Sequence, residues 1–174
     1  ARRFRTLDPT RPVTFATCAP LGDRCLDLVD VVACNTYPGW YSGDLETADA
    51  RLRDLLRKLK KRVKGKPLLV SEFGAAGMTG VRDFELRKWT ESYQAELLRR
   101  LLGTLRTFPG LSGAIIWQFC DVRTSDRLMS RIREYNNKGL LNEFRRPKEA
   151  FFVAHDVFRD IPSFPTTSTQ EKSS

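Results

Sequence analysis

Apolar residues fall along this chain in two rhythms. Short, mostly apolar stretches at 13–18, 29–34, 66–74 (its apolar run being Leu68 to Val70) and 113–119, bounded by proline, glycine and polar clusters, predict buried strands. Between them, apolar positions recur every three or four residues, the spacing of one helix face. Leu45, Ala48, Leu52, Leu55, Leu56, Leu59 and Val63 predict a helix over 44–64 that Gly65 ends. Trp89, Tyr93, Leu97, Leu101 and Leu105 predict a second over 88–106, stopped by Pro109-Gly110. Pro147 launches a third over 148–159, with Ala150, Phe151, Ala154, Val157 and Phe158 on its apolar face. Residues 1–10 read as the tail of a helix that runs out at Leu7-Asp8-Pro9.

Continuous apolar strands alternating with amphipathic helices make this an α/β chain of four parallel strands with covering helices. Left alone, four strands would expose both outer edges. An eight-stranded (β/α)8, or TIM, barrel takes about 250 residues, so the four units within residues 1–161 fit half of one, incomplete at its N-terminus. Residues 162–174, rich in Ser, Thr and Pro, are expected to form a disordered tail. In such folds ligands bind at the carboxyl ends of the strands. The third strand ends there in Ser71-Glu72-Phe73-Gly74, and Glu72 is either a site carboxylate or a capping, salt-bridging one. The second ends in Asn35-Thr36-Tyr37-Pro38-Gly39-Trp40-Tyr41, a loop that can face a sugar ring or pack as a lid over a core.

Composition narrows the partners. An apolar fraction of 41% and a charged fraction of 29% are those of an ordinary soluble domain. No apolar run approaches the length that crosses a bilayer, and Ala1-Arg2-Arg3-Phe4-Arg5 leads into no signal-peptide core, so no membrane partner is expected. A net charge of +9 raises nucleic acid or an anionic substrate as partner. Much of it clusters at Arg57, Lys58, Lys60, Lys61, Arg62, Lys64 and Lys66, where a solvated helix face would complement the carbonyl end of the dipole. With no zinc-finger spacing and no aromatic-studded RNA-binding motif, no specific nucleic-acid partner is expected. Cys18, Cys25, Cys34 and Cys120 have no paired or metal-ligand spacing; Cys18, Cys34 and Cys120 lie in or beside apolar runs, which suits free buried thiols and leans toward a reducing, cytoplasmic compartment. His155, the single histidine, is expected to be structural.

Six motifs occur in one order: Asp8-Pro9-Thr10-Arg11-Pro12, the loop from Asn35 to Tyr41, Ser71-Glu72-Phe73-Gly74, Trp117-Gln118-Phe119, Asn136-Asn137-Lys138-Gly139 and Arg146-Pro147-Lys148. By that set, from about Leu7 to Ile161, the chain resembles the C-terminal half of the catalytic barrel of the family 2 glycoside hydrolases, most of all its β-glucuronidase branch. The resemblance implies a retaining hydrolase that cleaves terminal β-D-glucuronosides through a covalent glycosyl-enzyme intermediate, with no metal or cofactor. Retention needs two carboxyl groups about 5 to 5.5 Å apart. Glu72 matches the family's nucleophile, and Tyr37 matches a tyrosine that hydrogen-bonds it, its alternative being core packing. Asn136 and Lys138 match the Asn-x-Lys pair that reads the sugar carboxylate, where a charge-assisted bond in a dry pocket outweighs a neutral one; read without the family, they form a polar turn closed by Gly139. Trp117 matches an apolar wall under the glycone, and Asn35 and Tyr41 stand in the glycone region.

The resemblance places the acid/base glutamate upstream of Ala1. Glu46, Glu85 and Glu143 lie in helical or connecting segments, so the chain alone is expected to be inactive. Departures bear on specificity: Phe73 stands where tyrosine is usual, Pro38 replaces a frequent tyrosine, and residues 131–135 replace small ones. They keep a β-galactosidase, a galacturonidase or another glycone of the family open, and beside these a barrel that binds carbohydrate without cleaving it. Oligomeric state stays open too, a homo-oligomer of the parent enzyme included.

Overall fold

The computed structural model describes residues 1–124 and 132–160. In chain order the elements are α1 (Arg2–Leu7), β1 (Ala16–Thr17), β2 (Val32–Asn35), α2 (Leu45–Arg62), β3 (Leu68–Phe73), β4 (Gly77–Met78), β5 (Trp89–Thr90), α3 (Glu91–Thr107), β6 (Leu111–Ile116), β7 (Val122–Arg123), β8 (Tyr135–Asn136) and α4 (Glu149–Arg159). Strands β1, β2, β3 and β6 pair side by side in that order and all in parallel, so their carboxyl ends share one edge. This is the α/β arrangement that the apolar runs predict. The expected tail over 162–174 lies outside the described residues.

One face of the sheet is dry. Leu52, Leu56 and Leu59 of α2 and Leu97 and Leu101 of α3 are fully buried in one core with Val32, Cys34, Val70 and Phe73. Each such side chain stabilises the fold by roughly 1.5–3 kcal/mol. The other face is uncovered among the described residues: Ile115 of β6 is 53% exposed, and Ser112, skipped where the β3–β6 register shifts, is exposed as well. In a (β/α)8 barrel that face turns inward.

The helix boundaries follow capping chemistry. Asp44 accepts the Thr47 N–H at 3.0 Å, while Thr47 Oγ1 accepts the Asp44 N–H at 3.2 Å, a reciprocal box that starts α2. The Thr47 hydroxyl, which donates to Asp44 Oδ1 at 2.7 Å, and then the Thr47 N–H hold the Asp44 carboxyl below the usual range, so the cap contributes at neutral pH and is lost as pH falls through the folded value. Asp44→Ala is expected to lower the thermal midpoint by about 2–4 °C at pH 7, and by less in acid, as circular dichroism melts would read it.

Several expected boundaries move. The second long helix begins at Glu91, not at residue 88, because Thr90 accepts the Tyr93 N–H at 3.1 Å as its cap. Trp89 therefore leaves the helix face and pairs in β5 beside β4, and Lys88 reaches back to the Trp40 and Gly43 carbonyls at 2.9 and 3.1 Å. β1 shrinks to Ala16–Thr17: it is an edge strand among the described residues, and Val13 is held instead by Asp30, whose carboxylate accepts its N–H at 2.7 Å. β2 starts at Val32, after a 3-10 turn at Leu26–Leu28, and β6 ends at Ile116.

The thiols also differ from expectation, and three residues of the basic cluster have partners the sequence did not suggest. All four cysteines are free, but only Cys34 is buried, its thiol pushed up to about 12 by desolvation; Cys18 and Cys25 are exposed and Cys120 is half-buried. Cys18 follows β1, which has no further strand beside it among the described residues. Within the basic cluster, Lys66 Nζ donates to the Leu26, Asp27 and Val29 carbonyls at 3.0, 2.9 and 2.8 Å, Lys60 caps the Pro109 carbonyl at 2.8 Å, and Arg62 donates to the Pro20, Leu21 and Asp23 carbonyls. These three cations staple loops, while Arg57, Lys58, Lys61 and Lys64 stay on the exposed face. His155 sits exposed on α4 beside Asp156. No helix among the described residues is long and apolar enough to cross a membrane.

Candidate active site

The carboxyl ends of β2 and β3 meet at Asn35 and Glu72. A register shift after Cys34 skips Ser71, so Asn35 pairs with Glu72; the Thr36 N–H donates to the Glu72 carbonyl at 2.9 Å and the Ser71 hydroxyl to Asn35 Oδ1 at 2.8 Å. The Glu72 side chain emerges half-buried at this edge. Tyr37 Oη donates to its Oε2 at 2.6 Å. Burial first, and then the carboxylate it faces, push the Tyr37 phenol above the ordinary tyrosine range, so the proton stays on the tyrosine. No other hydrogen bond reaches the Glu72 carboxylate among the described residues, which leaves Oε1 open.

Gly74 turns the chain directly after β3. Its φ of +143° suits glycine, and a Cβ there would lie 2.8 Å from the Trp117 carbonyl oxygen. That close approach brings the segment after β6 to the same edge. The Trp117 N–H donates to the Phe73 carbonyl at 2.9 Å, and Trp117 is 37% exposed. Trp117 and Lys138 border one narrow crevice beside Gly74, lined also by the buried Gln94 and Leu98.

Lys138 arrives from a distant part of the chain. The antiparallel β7–β8 ribbon sets Val122 opposite Asn136, the Gln118 N–H donates to the Lys138 carbonyl at 3.0 Å, and the Leu140 N–H donates to the Gln118 carbonyl at 2.9 Å. Residues 136–141 thus lie alongside 118–121. The Lys138 ammonium sits 5.1, 5.5 and 5.9 Å from the ring centres of Tyr41, Trp40 and Tyr37. Each cation–π contact of this kind contributes about 0.5–1 kcal/mol when exposed and about 2 when desolvated. Rings hold the cation without neutralising it. The ammonium has no carboxylate or hydrogen-bond partner among the described residues, although Lys138 is only 8% exposed. Asn136, equally buried, accepts the Lys138 N–H through Oδ1 at 3.3 Å.

The sequence-predicted residues therefore come together at one edge: Glu72 and Tyr37 in direct contact, Tyr41 and Lys138 in the ring cage, Asn136 beneath Lys138, and Asn35 and Trp117 on the flanking strand ends. A cleft of about 550 Å³ opens on the β2 side, bordered by Cys18, Asn35, Tyr37, Tyr41 and Arg51; neither Glu72 nor Lys138 borders it. The arrangement sets a carboxylate able to attack beside a cation able to hold an anion.

Sequence reasoning missed two parts. Trp40 is a wall of the cage; it stood in the aromatic loop but carried no assigned role. Beneath Lys138 lies a buried ion pair, Lys148 Nζ to Asp121 Oδ1 at 3.0 Å, whose side chains are 0% and 1% exposed. Burial pushes Lys148 below the ordinary lysine range and Asp121 above the carboxylate range, and their contact opposes both shifts. A signal existed: Lys148 is the N-cap of α4, where the helix dipole disfavours a cation. No group of three or more His, Cys, Asp or Glu among the described residues could hold a metal ion.

Comparison with known proteins gives this geometry its relatives. The family model for the TIM barrel domain of family 2 glycosyl hydrolases matches residues 1–162. A β-glucuronidase of Streptococcus agalactiae is 34% identical over 167 residues, covering 92% of this chain and 28% of that relative. A solved β-galacturonidase of Eisenbergiella tayi bound to galacturonate superposes with a TM-score of 0.87 at 38% identity, over 94% of this chain and 29% of that one. The β-D-glucuronidase of Dictyoglomus thermophilum superposes with a TM-score of 0.86 at 33% identity, over 94% and 28%. The chain spans between a quarter and a third of the length of these relatives.

Proposed function

The chain belongs to family 2 of the glycosyl hydrolases, within the TIM barrel domain, and on that premise we propose that it supplies the nucleophile and the glycone reader of a retaining β-glucuronidase. The observation that carries the reading is the Lys138 ammonium, held by three rings and free of any carboxylate among the described residues, beside the tyrosine that hydrogen-bonds Glu72. A uronide places a carboxylate where that ammonium and the Asn136 amide can donate to it. A neutral sugar would leave the cation unpaired at a cost.

In the reaction, the open Oε1 of Glu72 forms a bond to the anomeric carbon as the glycosidic bond breaks. The departing oxygen takes a proton from a second carboxylic acid. Water, losing its proton to that same group, then displaces Glu72 from the sugar. Tyr37 holds the other carboxylate oxygen and so orients the attack. Three glutamates are placed for other tasks: Glu46 lies in the first turn of α2, Glu85 pairs with Arg87, and Glu91 accepts the Gly80 and Glu149 N–H groups at 2.6 and 2.8 Å. On the family's pattern the second carboxyl group belongs to another barrel strand, and the chain alone is expected to lack turnover.

A galacturonide is the second reading, favoured by the 38% identity to the Eisenbergiella tayi enzyme. The two sugars share the C5 carboxylate and differ at the C4 hydroxyl. Hydrolysis of chromogenic β-glucuronide, β-galacturonide, β-galactoside and β-mannoside by the complete enzyme decides among them. A uronide is expected to lead by at least about a hundredfold in kcat/KM. A leading neutral sugar would reduce Asn136 and Lys138 to a turn.

A further inference from the structure

The buried Lys148–Asp121 pair has no part in the chemistry above, and its hydrogen bonds converge on the segment that carries Lys138. Lys148 Nζ donates to Asp121 Oδ1 at 3.0 Å, to the Asn137 carbonyl at 3.0 Å and to the Gly77 carbonyl at 2.8 Å, which uses all its protons. Asp121 Oδ1 also accepts the Gly139 N–H at 2.8 Å. The residues before and after Lys138 are thus each gripped by one member of the pair. The packing there is so close that a Cβ on Gly139 would collide with the backbone of Cys120, Asp121 and Leu141. Gln94 adds a parallel tie, donating to the Gly139 carbonyl at 3.0 Å and to the Ala75 carbonyl at 2.9 Å.

The same network holds the segment that follows Glu72. Ala75 and Gly77 lie three and five residues beyond it, and both carbonyls are bound from this cluster. Helix stability does not explain the lysine, since an N-cap favours Ser, Thr, Asp or Asn and the dipole repels a cation. An ion pair this buried also gains little over an apolar pair of similar volume. Its geometric effect is specific: one rigid cluster fixes the Lys138 backbone relative to the strand that ends in Glu72.

We propose that Lys148 and Asp121 are positioning residues that set the Lys138 ammonium at the distance from Glu72 that a uronide carboxylate requires, an inference that rests on the uronidase reading above. A displacement of about 1 Å in such a site can cost about a hundredfold. Because the carboxylate contact is made in substrate and transition state alike, losing its alignment raises KM and spares kcat.

The test compares the complete wild-type enzyme, Lys138→Ala, the double variant Lys148→Met with Asp121→Asn, and Asp121→Asn alone. The double substitution leaves no unpaired buried charge, so a folded sample is available for measurement; the single one keeps an acceptor for both Gly139 and Lys148 but removes the lysine's counter-charge. Amide exchange over residues 136–141 and steady-state kinetics on 4-nitrophenyl β-D-glucuronide and β-D-galacturonide are read on each. The double variant is expected to exchange faster by about tenfold or more across that segment and to raise the uronide KM by about tenfold or more, with kcat held within about threefold. Asp121→Asn should shift both in the same direction by less. A folded double variant with wild-type KM, or one losing kcat alone, overturns the positioning role while leaving the uronidase reading intact. A wild type inactive on uronides, or a Lys138→Ala variant indifferent to them, overturns that reading and this proposal with it.

Discussion

Glu72→Gln in the complete enzyme is expected to lower kcat on its preferred glycoside by on the order of 10⁴-fold or more, while the thermal midpoint moves by no more than about a few degrees. The two halves of that expectation have separate causes. Glutamine is isosteric, and its amide oxygen can still accept from Tyr37 Oη, which donates to Glu72 Oε2 at 2.6 Å in the native site. The strand itself is held by backbone bonds and by Val70 and Phe73 in the core, none of which the substitution touches. The chemistry, in contrast, needs an anionic oxygen to bond to the anomeric carbon, and an amide cannot supply one. Turnover within about tenfold of wild type would remove Glu72 as nucleophile.

Lys138→Ala is expected to cost roughly 2–5 kcal/mol in kcat/KM on a uronide, a factor of about 30 to several thousand. Neutral glycosides, where detectable, should lose about tenfold or less. The asymmetry arises because a uronide carboxylate would remain desolvated with its cation removed, while a neutral sugar never used that cation. Stability should suffer little, since the cost of desolvating an ammonium with no hydrogen bond or ion pair among the described residues offsets what its cation–π contacts with Tyr41, Trp40 and Tyr37 contribute. Equal losses on both substrate classes, measured side by side, would make Lys138 structural.

What the sequence determined by itself was whatever depends on local pattern. Apolar runs and helical spacing place β2, β3, β6, α2 and α4 within a few residues, because strand and helix periods are properties of neighbouring positions. Strand ends are local too, so Glu72 at the end of β3 and the aromatic loop after β2 stand out before any contact is known. Boundaries set by a single polar atom were less legible. Thr90 starts α3 three residues later than the apolar spacing implies, because one hydroxyl accepts the Tyr93 N–H.

Only the tertiary structure decided what lies between distant segments. Tyr37 and Glu72 are 35 residues apart and touch because β2 and β3 pair in parallel with a shifted register. The Lys138 cage joins residues about a hundred positions apart, and Trp40 belongs to it only through the way its loop folds. Burial is likewise a collective property: Cys18 and Cys34 look alike in sequence, yet one ends exposed past an edge strand and the other lies sealed beneath helices. Lys148 is the extreme case. Its position at a helix start argues locally against a lysine, and its stability there comes from Asp121 and two carbonyls that only the assembled fold brings within reach.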